Sequence, residues 1–303
     1  YKMEYITSHL GELSALVTAI CWTATSMAFE SAGKKVGSLS VNLIRLVMAL
    51  VLLGLFTTIT RGHFWPADAG SHAWLWLSLS GLVGFVIGDL LLFKAFVVVG
   101  ARVSMLIMSL TPPLTALFGL IILGERMTLI NILGMILTIS GIALVVLARP
   151  VKGKRFSLNF PVAGLLLAFG GAAGQALGLV LSKLGMGKLD AFMSTQIRVI
   201  AGIAGFSIVF FFMRRWGNVR KALKNKSAMG SISIGAFFGP FLGVSFSLLA
   251  VKYTSTGIAS TLMALTPVMI ILPARYIFKE KITTKEVIGA FIAVAGVVVF
   301  FVF

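Results

Sequence analysis

The sequence predicts an all-α integral membrane protein in which ten transmembrane helices form two five-helix repeats of inverted topology. The composition supports the membrane class, because 58% of the 303 residues are hydrophobic and only 12% are charged. Mean hydropathy is +1.04, and a soluble domain usually carries about twice this share of charge. The number of long apolar runs and an internal repeat support the rest of the prediction.

Ten apolar runs are long enough to cross a bilayer, since a transmembrane helix needs about 20 apolar residues. We interpret all of them as helices, because lipid cannot satisfy an open backbone and the alternation of barrel strands is absent. The first run has no basic leader and no small-residue cleavage site, so we expect a span there rather than a cleaved signal. The predicted spans are 10–29, 39–60, 72–98, 102–122, 129–148, 161–182, 190–213, 229–251, 257–278 and 286–303.

The second half of the chain repeats the pattern of the first half. Met108-Ser-Leu-Thr-Pro112 aligns without a gap with Met263-Ala-Leu-Thr-Pro267, 155 positions later. Matched Pro, Gly and Glu residues are informative in so apolar a chain, because each has a specific backbone or charge role. We predict a first repeat at 1–148, a basic connecting loop at 149–160 and a second repeat at 161–303. Further matched pairs are Trp22 with Gln175, Arg45 with Arg198, Gly84 with Gly239, Gly88 with Gly243, Glu125 with Glu280, Gly134 with Gly289 and Gly141 with Gly296.

The two repeats should cross the membrane in opposite directions, because five spans per repeat is an odd number. Inverted repeats are typical of secondary transporters, whose substrate site lies near the midplane where the repeats meet. The loops after spans 1, 3, 5, 7 and 9 hold sixteen Lys and Arg residues, against six on the opposite face. The positive-inside rule therefore places these odd loops in the cytoplasm and both termini outside.

Composition and motifs also exclude several other functions. The net charge of +17 sits in short loops, so membrane topology explains it better than nucleic-acid binding. Cys21 is the single cysteine, and no Cys/His metal spacing exists, so we expect neither metal nor cofactor. The chain has no Walker A loop and its spans offer no nucleophile–base set, which argues against an ATPase and an enzyme. The expected partners are a small-molecule substrate and the bilayer, with the chain a monomer or homodimer.

Four ionisable side chains are predicted to lie well inside spans: Arg45, Asp89, Lys94 and Arg198. A charge at the bilayer centre costs roughly 2.5–3.5 kcal/mol, so each should face protein or water. At ~1.5 Å per residue, Arg45 and Asp89 lie at similar depths from one face and are expected to meet. Lys94 follows Asp89 by five residues and should point to a different side of the helix.

The second repeat lacks this arrangement, because Val244 aligns with Asp89. One interpretation is that Arg198, or Lys94, offers positive charge to a substrate carboxylate or phosphate. The other, which we favour for Arg198, is that it snorkels to the membrane surface or bonds helix-end carbonyls. Asp89 is interpreted either as a group for coupling or substrate contact, or as half of a structural ion pair.

Uncharged residues complete the candidate cavity. Gln175 is an amide in mid-membrane and should have a partner or a ligand, although close helix packing around its glycine neighbours is the alternative. Trp22, Met108 and Met263 form either an adaptable apolar wall or ordinary core, and we favour core for the methionines. Ser245 is included among the candidate cavity residues.

Two sets of repeated residues are candidates for moving parts. The Thr-Pro pairs, Thr111-Pro112 and Thr266-Pro267, lie inside spans, where Pro removes a backbone donor and frees a carbonyl. Their equivalent positions favour a hinge or broken helix over a static kink. Glu125 and Glu280 begin hairpin loops, where capping explains them, and a gate latch is the alternative.

Several of these residues belong to longer runs that recur in the two repeats. The runs are Thr111-Pro-Pro-Leu-Thr-Ala-Leu, Leu123-Gly-Glu-Arg-Met-Thr128 and Gly141-Ile-Ala-Leu, their second copies Leu265-Thr-Pro-Val and Lys279-Glu-Lys-Ile-Thr283, and the second-helix arginine runs Leu43-Ile-Arg45-Leu and Gln196-Ile-Arg198-Val. Together they resemble the EamA repeat of the drug/metabolite transporter superfamily. The resemblance implies a ten-helix carrier with a central cavity, often an exporter of amino acids or other metabolites. It also implies cytoplasmic termini, the reverse of the charge count. We expect the plasma (inner) membrane as the location, and the alternative function is a non-transporting assembly or lipid-handling protein.

Overall fold

The protein is helical throughout the part of the chain that the computed structural model describes, which is residues 9–99, 104, 107–148, 161–269, 271–276 and 282–302. No strand occurs within those ranges. Eight helices are long and apolar enough to cross a membrane, and two shorter apolar helices occupy the fourth and ninth positions. The all-α membrane class is therefore confirmed, whereas ten complete spans remain a prediction.

Within the described residues, each repeat contributes five long or apolar helices in the same order. In the first repeat they are α1 at Leu10–Val36, α2 at Ser38–Arg61, α3 at 71–98, α4 at Thr111–Leu123 and α5 at Leu129–Ala148. In the second they are α6 at Val162–Met186, α7 at Ala191–Met213, α8 at Lys226–Tyr253, α9 at Thr256–Met269 and α10 at Thr284–Val302. A further helical segment, Ile271–Tyr276, follows α9.

The sequence repeat extends to irregularities of the backbone. A π-helix, Leu82–Gly88, interrupts α3, and a second one, Phe237–Gly243, interrupts α8 at the positions 155 residues later. Only the second contains a proline, Pro240, so proline does not cause the feature. Turns also occur at 109–110 and at 264–265, immediately before the two Thr-Pro pairs. Because π-helical turns recur at functional sites, these matched segments are natural places to look for one.

The connection between the predicted spans 190–213 and 229–251 is not a simple loop. It contains a short helix, Trp216–Lys224, which precedes α8. Ala222 on this helix is buried against the neighbouring helices, while Arg220, Lys221 and Lys224 are exposed. The helix is too short to span a bilayer, and its exposed side is rich in basic residues. Apolar run length alone does not detect such an element.

Glycines allow α5 and α10 to cross at backbone contact. A Cβ on Gly141 would lie 2.3 Å from the nitrogen of Ala293 and 2.5 Å from the oxygen of Gly289. Gly134 lies in the same way against Gly296. The earlier glycine of each helix therefore meets the later glycine of the other, so the two helices run antiparallel. Since the pairs are repeat-equivalent, the contact has the self-complementary form of a two-fold interface.

The repeats also exchange contacts through their π-helices. In one direction α3 packs on α6, where Gly84 lies against Gly178 and Gly88 lies against Gln175. In the other direction α8 packs on α1, and Gly243 lies against Trp22. Trp22 and Gln175, which the repeat aligns, thus occupy equivalent positions between the two halves of the molecule.

Candidate functional site

Asp89 lies where the π-helix of α3 returns to α-helix, and its side chain is buried. Its Oδ2 accepts a hydrogen bond from Nη2 of Arg45 at 2.5 Å, so the expected meeting of these charges occurs. Its Oδ1 accepts a second bond from Nε2 of Gln175 at 2.9 Å. Gln175 also contacts the carbonyl oxygen of Gly84 at 3.3 Å. The amide of the second repeat thereby finds its partner in a carboxylate of the first.

Arg198 of α7 is buried, with an exposed fraction of 4%. Its guanidinium carbon lies 4.7 Å from the ring centroid of Phe85 in α3, and its charge interacts with that of Asp89. Among the residues that the structure describes, the guanidinium makes no hydrogen bond, and Nε is buried without a partner. The snorkelling that we favoured is wrong, because the side chain turns inward to an aromatic ring of the other repeat.

Four residues from both repeats thus form what we call the charged centre: Arg45, Asp89, Gln175 and Arg198. Each arginine lies over a phenylalanine, since the guanidinium carbon of Arg45 is 5.2 Å from the ring centroid of Phe29. Cation–π contacts of this kind stabilise a guanidinium in an apolar setting. With two arginines and one carboxylate, the charged centre carries a formal charge of +1.

The residues that the repeat aligns with Asp89 and Gln175 are apolar. There the indole of Trp22 packs against Gly243, and Val244 stands where the first repeat has Asp89. Ser245 is fully buried, and its hydroxyl has no hydrogen-bond partner in the described chain. The backbone of the two halves is therefore similar and each half has its arginine, but the carboxylate and the amide have no polar equivalents.

Lys94 does not join the charged centre. Its side chain is exposed, on a different side of α3 from the buried Asp89. Five helical residues correspond to a rotation of about 140° around the axis, which explains the separation. The structure therefore separates Lys94 from the charged centre, and its interpretation as a cavity residue remains a prediction.

The candidate methionines and Thr-Pro pairs lie in or next to α4 and α9. Met263 is buried in the apolar core, as we favoured, and Met108 is half-buried. Thr266 donates a hydrogen bond to the carbonyl of Met263 at 3.1 Å. The hydroxyl of Thr111 is buried without a partner in the part of the chain described. A turn at 109–110 thus precedes α4 and a turn at 264–265 interrupts α9, and the hinge function remains a prediction.

Glu125 connects the two repeats at one face of the molecule. It pairs with Lys183 of α6 at 2.6 Å, and its Oε2 accepts hydrogen bonds from the backbone N–H and hydroxyl of Thr256, each at 2.7 Å. Lys183 also donates to the carbonyl of Thr254 at 2.7 Å. Glu125 therefore caps α9 of the other repeat rather than its own hairpin alone. Its repeat equivalent, Glu280, lies outside the described residues.

Replacing Glu125 with Gln should loosen this face. Charge-assisted hydrogen bonds contribute about 1.5–3 kcal/mol, so the closed arrangement should become at least about tenfold less favoured. A cysteine placed at the buried Ser260, in a Cys21→Ala background, should then react severalfold faster with an impermeant maleimide. Asp68→Asn is the matched control, because the Arg61–Asp68 pair on this face is exposed. Equal labelling rates in both variants would argue against a latch.

Two surface pockets lie beside the Trp216–Lys224 helix rather than at the charged centre. One, of about 700 Å³, is lined by Phe211, Phe212, Arg214, Trp216 and Gly217. The other, of about 330 Å³, is lined by Lys35, Val36, Asn218, Lys221, Ala222 and Asn225. None of the candidate cavity residues lines either pocket, and the central cavity between the repeats remains a prediction.

The fold and the charged centre define a multi-pass helical membrane protein built from two related repeats. The chain belongs to the EamA-like transporter family, whose family model matches residues 9–147 and 162–302. Members of this family are membrane transporters of small molecules. The two matched segments coincide with helices α1–α5 and α6–α10.

Two individual proteins are also similar to the chain. An uncharacterized protein of Haemophilus influenzae is 27% identical over 103 residues, which is 34% of this chain and 75% of that protein. A crystal structure superposes with a TM-score of 0.73, covers 96% of both chains and has 18% sequence identity. At that identity the likeness shows the fold alone, so the substrate must be argued from the site.

Proposed function

We propose that the protein is a secondary carrier that exports a small organic metabolite, such as an amino acid, by alternating access. The observation that carries this proposal is the charged centre, which takes side chains from both repeats at the place where they pack together. Intramembrane ionisable residues are costly and mark substrate or ion pathways in transporters. The plasma (inner) membrane is the proposed location, and the proposed partners are a small-molecule substrate and the bilayer.

Inverted topology is part of this proposal. The antiparallel crossing of α5 and α10 supports it, because helices of two repeats with the same orientation would pair equivalent glycines side by side. Alternating access then follows from rocking one repeat against the other about a shared central site. The contacts that such a motion would exchange include Gln175 with Asp89 and Arg198 with Phe85, since both cross between repeats.

The proposed hinges are the turns next to the Thr-Pro pairs, and the proposed gate is the set of Glu125 contacts. The breaks before Thr111-Pro112 and Thr266-Pro267 act as hinges, because residues at the ends of short segments can absorb backbone rotation. The Glu125–Lys183–Thr256 contacts hold one face closed while the other opens. No ATP is required, and the energy comes from a gradient of the substrate or of a coupled ion.

Counterflow in proteoliposomes tests the carrier function. Vesicles loaded with an unlabelled metabolite should accumulate the labelled form of that metabolite and not of unrelated ones. Heat-inactivated protein in the same vesicles provides the control. If amino acids, organic acids, polyamines and sugar phosphates all fail to exchange, the alternative is a lipid-handling or assembly protein. The basic Trp216–Lys224 helix beside an apolar pocket favours that alternative over an enzyme.

Reporter tags test the inverted arrangement. Corresponding loops of the two repeats, at 62–70 after α2 and at 214–215 after α7, should lie on opposite faces of the membrane. The charge count places the second of these in the cytoplasm. Tags that report both loops on the same face would contradict the inverted repeat.

A further inference from the structure

Arg198 is buried, with an exposed fraction of 4%, and its guanidinium is incompletely satisfied. A guanidinium carries five N–H donors in a rigid fork, and buried arginines normally use most of them. Among the described residues Nε is buried without a partner, the guanidinium lies over the Phe85 ring, and its charge interacts with that of Asp89. The net cost of a buried, incompletely paired ion amounts to several kcal/mol, so a purely structural role does not explain its presence.

The first repeat shows what such an arginine uses as a partner. Arg45, the repeat equivalent of Arg198, obtains a carboxylate oxygen from Asp89 on the next helix. The second repeat places the buried Val244 at the corresponding position. Asp89 does not serve both arginines in this structure: one of its oxygens accepts from Arg45 and the other from Gln175, and neither accepts from Arg198.

The surroundings of the corresponding position in the second repeat contain another unsatisfied group. Helix α7, which carries Arg198, packs against the 244–253 segment of α8. Ser245 lies in that segment, fully buried, and its hydroxyl has no partner among the described residues. A buried hydroxyl without a partner costs about 1–3 kcal/mol, so the cost of an unsatisfied group recurs on two neighbouring helices of the second repeat.

We infer that Arg198 binds a carboxylate group of the transported metabolite. In the second repeat, this substrate carboxylate takes the place of the Asp89 side chain, which pairs with Arg45 in the first repeat. The inference rests on the proposed carrier function and specifies its substrate class as a carboxylate-bearing metabolite. A carboxylate matches the planar guanidinium in a bidentate manner. Its single negative charge also neutralises the formal charge of +1 at the charged centre. The two negative charges of a phosphate dianion would instead leave the centre with a net negative charge.

Thermal stability of the purified protein with propanoate, compared with its neutral analogue propanamide, tests this assignment. Propanoate should raise the melting temperature of the wild-type protein at constant ionic strength, and propanamide should not. In Arg198→Gln the apparent affinity for propanoate should fall at least about tenfold, since a charge-assisted hydrogen bond is lost. Inorganic phosphate is the second anion, and a larger shift with phosphate than with propanoate would overturn the carboxylate assignment.

A matched pair of variants at Val244 provides a second test that keeps Arg198 intact. Val244→Asp supplies an internal carboxylate and should abolish the propanoate effect, whereas Val244→Asn adds similar polarity without charge and should retain it. Size-exclusion profiles identify variants that fail to fold. If the Val244 variants fail to fold, the thermal response of Arg198→Gln and Arg198→Lys to propanoate decides instead. The inference is overturned if propanoate and propanamide act equally, if neither stabilises the wild type, or if Arg198→Gln responds normally.

Counterflow separates this inference from the carrier proposal. Exchange of a cationic or neutral metabolite that is unaffected by Arg198→Gln would leave the carrier standing and remove the carboxylate assignment. Conversely, stabilisation by propanoate that depends on Arg198, without exchange of any metabolite, would support the binding site and contradict transport.

Discussion

Asp89→Asn should destabilise the protein more than any other single substitution in the charged centre. The carboxylate is the one negative charge that faces Arg45 and Arg198, and both of its oxygens accept hydrogen bonds. Removing one partner of a buried ion pair costs about 3–5 kcal/mol, because the other charge is left uncompensated. The expected result is a large fall in melting temperature of the purified protein and loss of counterflow.

The control is the charge-balanced double variant Asp89→Asn with Arg45→Met. It removes the cation that the single change leaves unpaired, so it should recover much of the lost stability. Strictly additive effects of the two changes in a double-mutant cycle would contradict the buried pair. The same variants decide between the two interpretations of Asp89. Recovered stability together with recovered exchange indicates a structural ion pair, whereas recovered stability without exchange indicates coupling or substrate contact.

The contact between Arg45 and Asp89 could be predicted because depth along a helix follows from the rise per residue. The contact between Gln175 and Asp89 could not, since it depends on which helices of the two repeats pack together. The glycines Gly84 and Gly88 were a signal for that packing, because matched glycines permit close approach of helices in lipid. The partner itself required the three-dimensional arrangement.

Arg198 shows where sequence reasoning fails for a physical reason. Its distance from the membrane surface was compatible with snorkelling, but distance along one helix says nothing about the neighbours. Phe85, the ring on which Arg198 stacks, belongs to the other repeat and to a π-helix without an evident sequence signature. Lys183 and Thr256, the partners of Glu125, were missed in the same way, because the contact joins a loop to helices that are distant in sequence.

The two repeats share a backbone arrangement but differ in the side chains that this backbone positions. Equivalent π-helices place Gly88 against Gln175 on one side and Gly243 against Trp22 on the other. At the first position the Gln175 amide donates a hydrogen bond to the Asp89 carboxylate. At the second, the Trp22 indole packs against the backbone of Gly243. In the carrier that we propose, rocking of the repeats about a fixed midplane site would keep these polar groups beside the substrate in both arrangements.

Gly141→Ala should disrupt the crossing of α5 and α10, although it adds a single methyl group. That methyl would lie 2.3 Å from the nitrogen of Ala293 and 2.5 Å from the oxygen of Gly289, and backbone cannot yield as a flexible side chain can. Overpacking typically costs 1–3 kcal/mol, so the melting temperature should fall clearly. Gly230→Ala is the matched control, because its Cβ meets nothing within 4 Å on the exposed side of α8. There the same change should be neutral or stabilise by about 0.4–1 kcal/mol through the unfolded chain. Equal effects at the two glycines would mean that α5 and α10 do not cross at Gly141, and the antiparallel contact that supports inverted repeats would lose its basis.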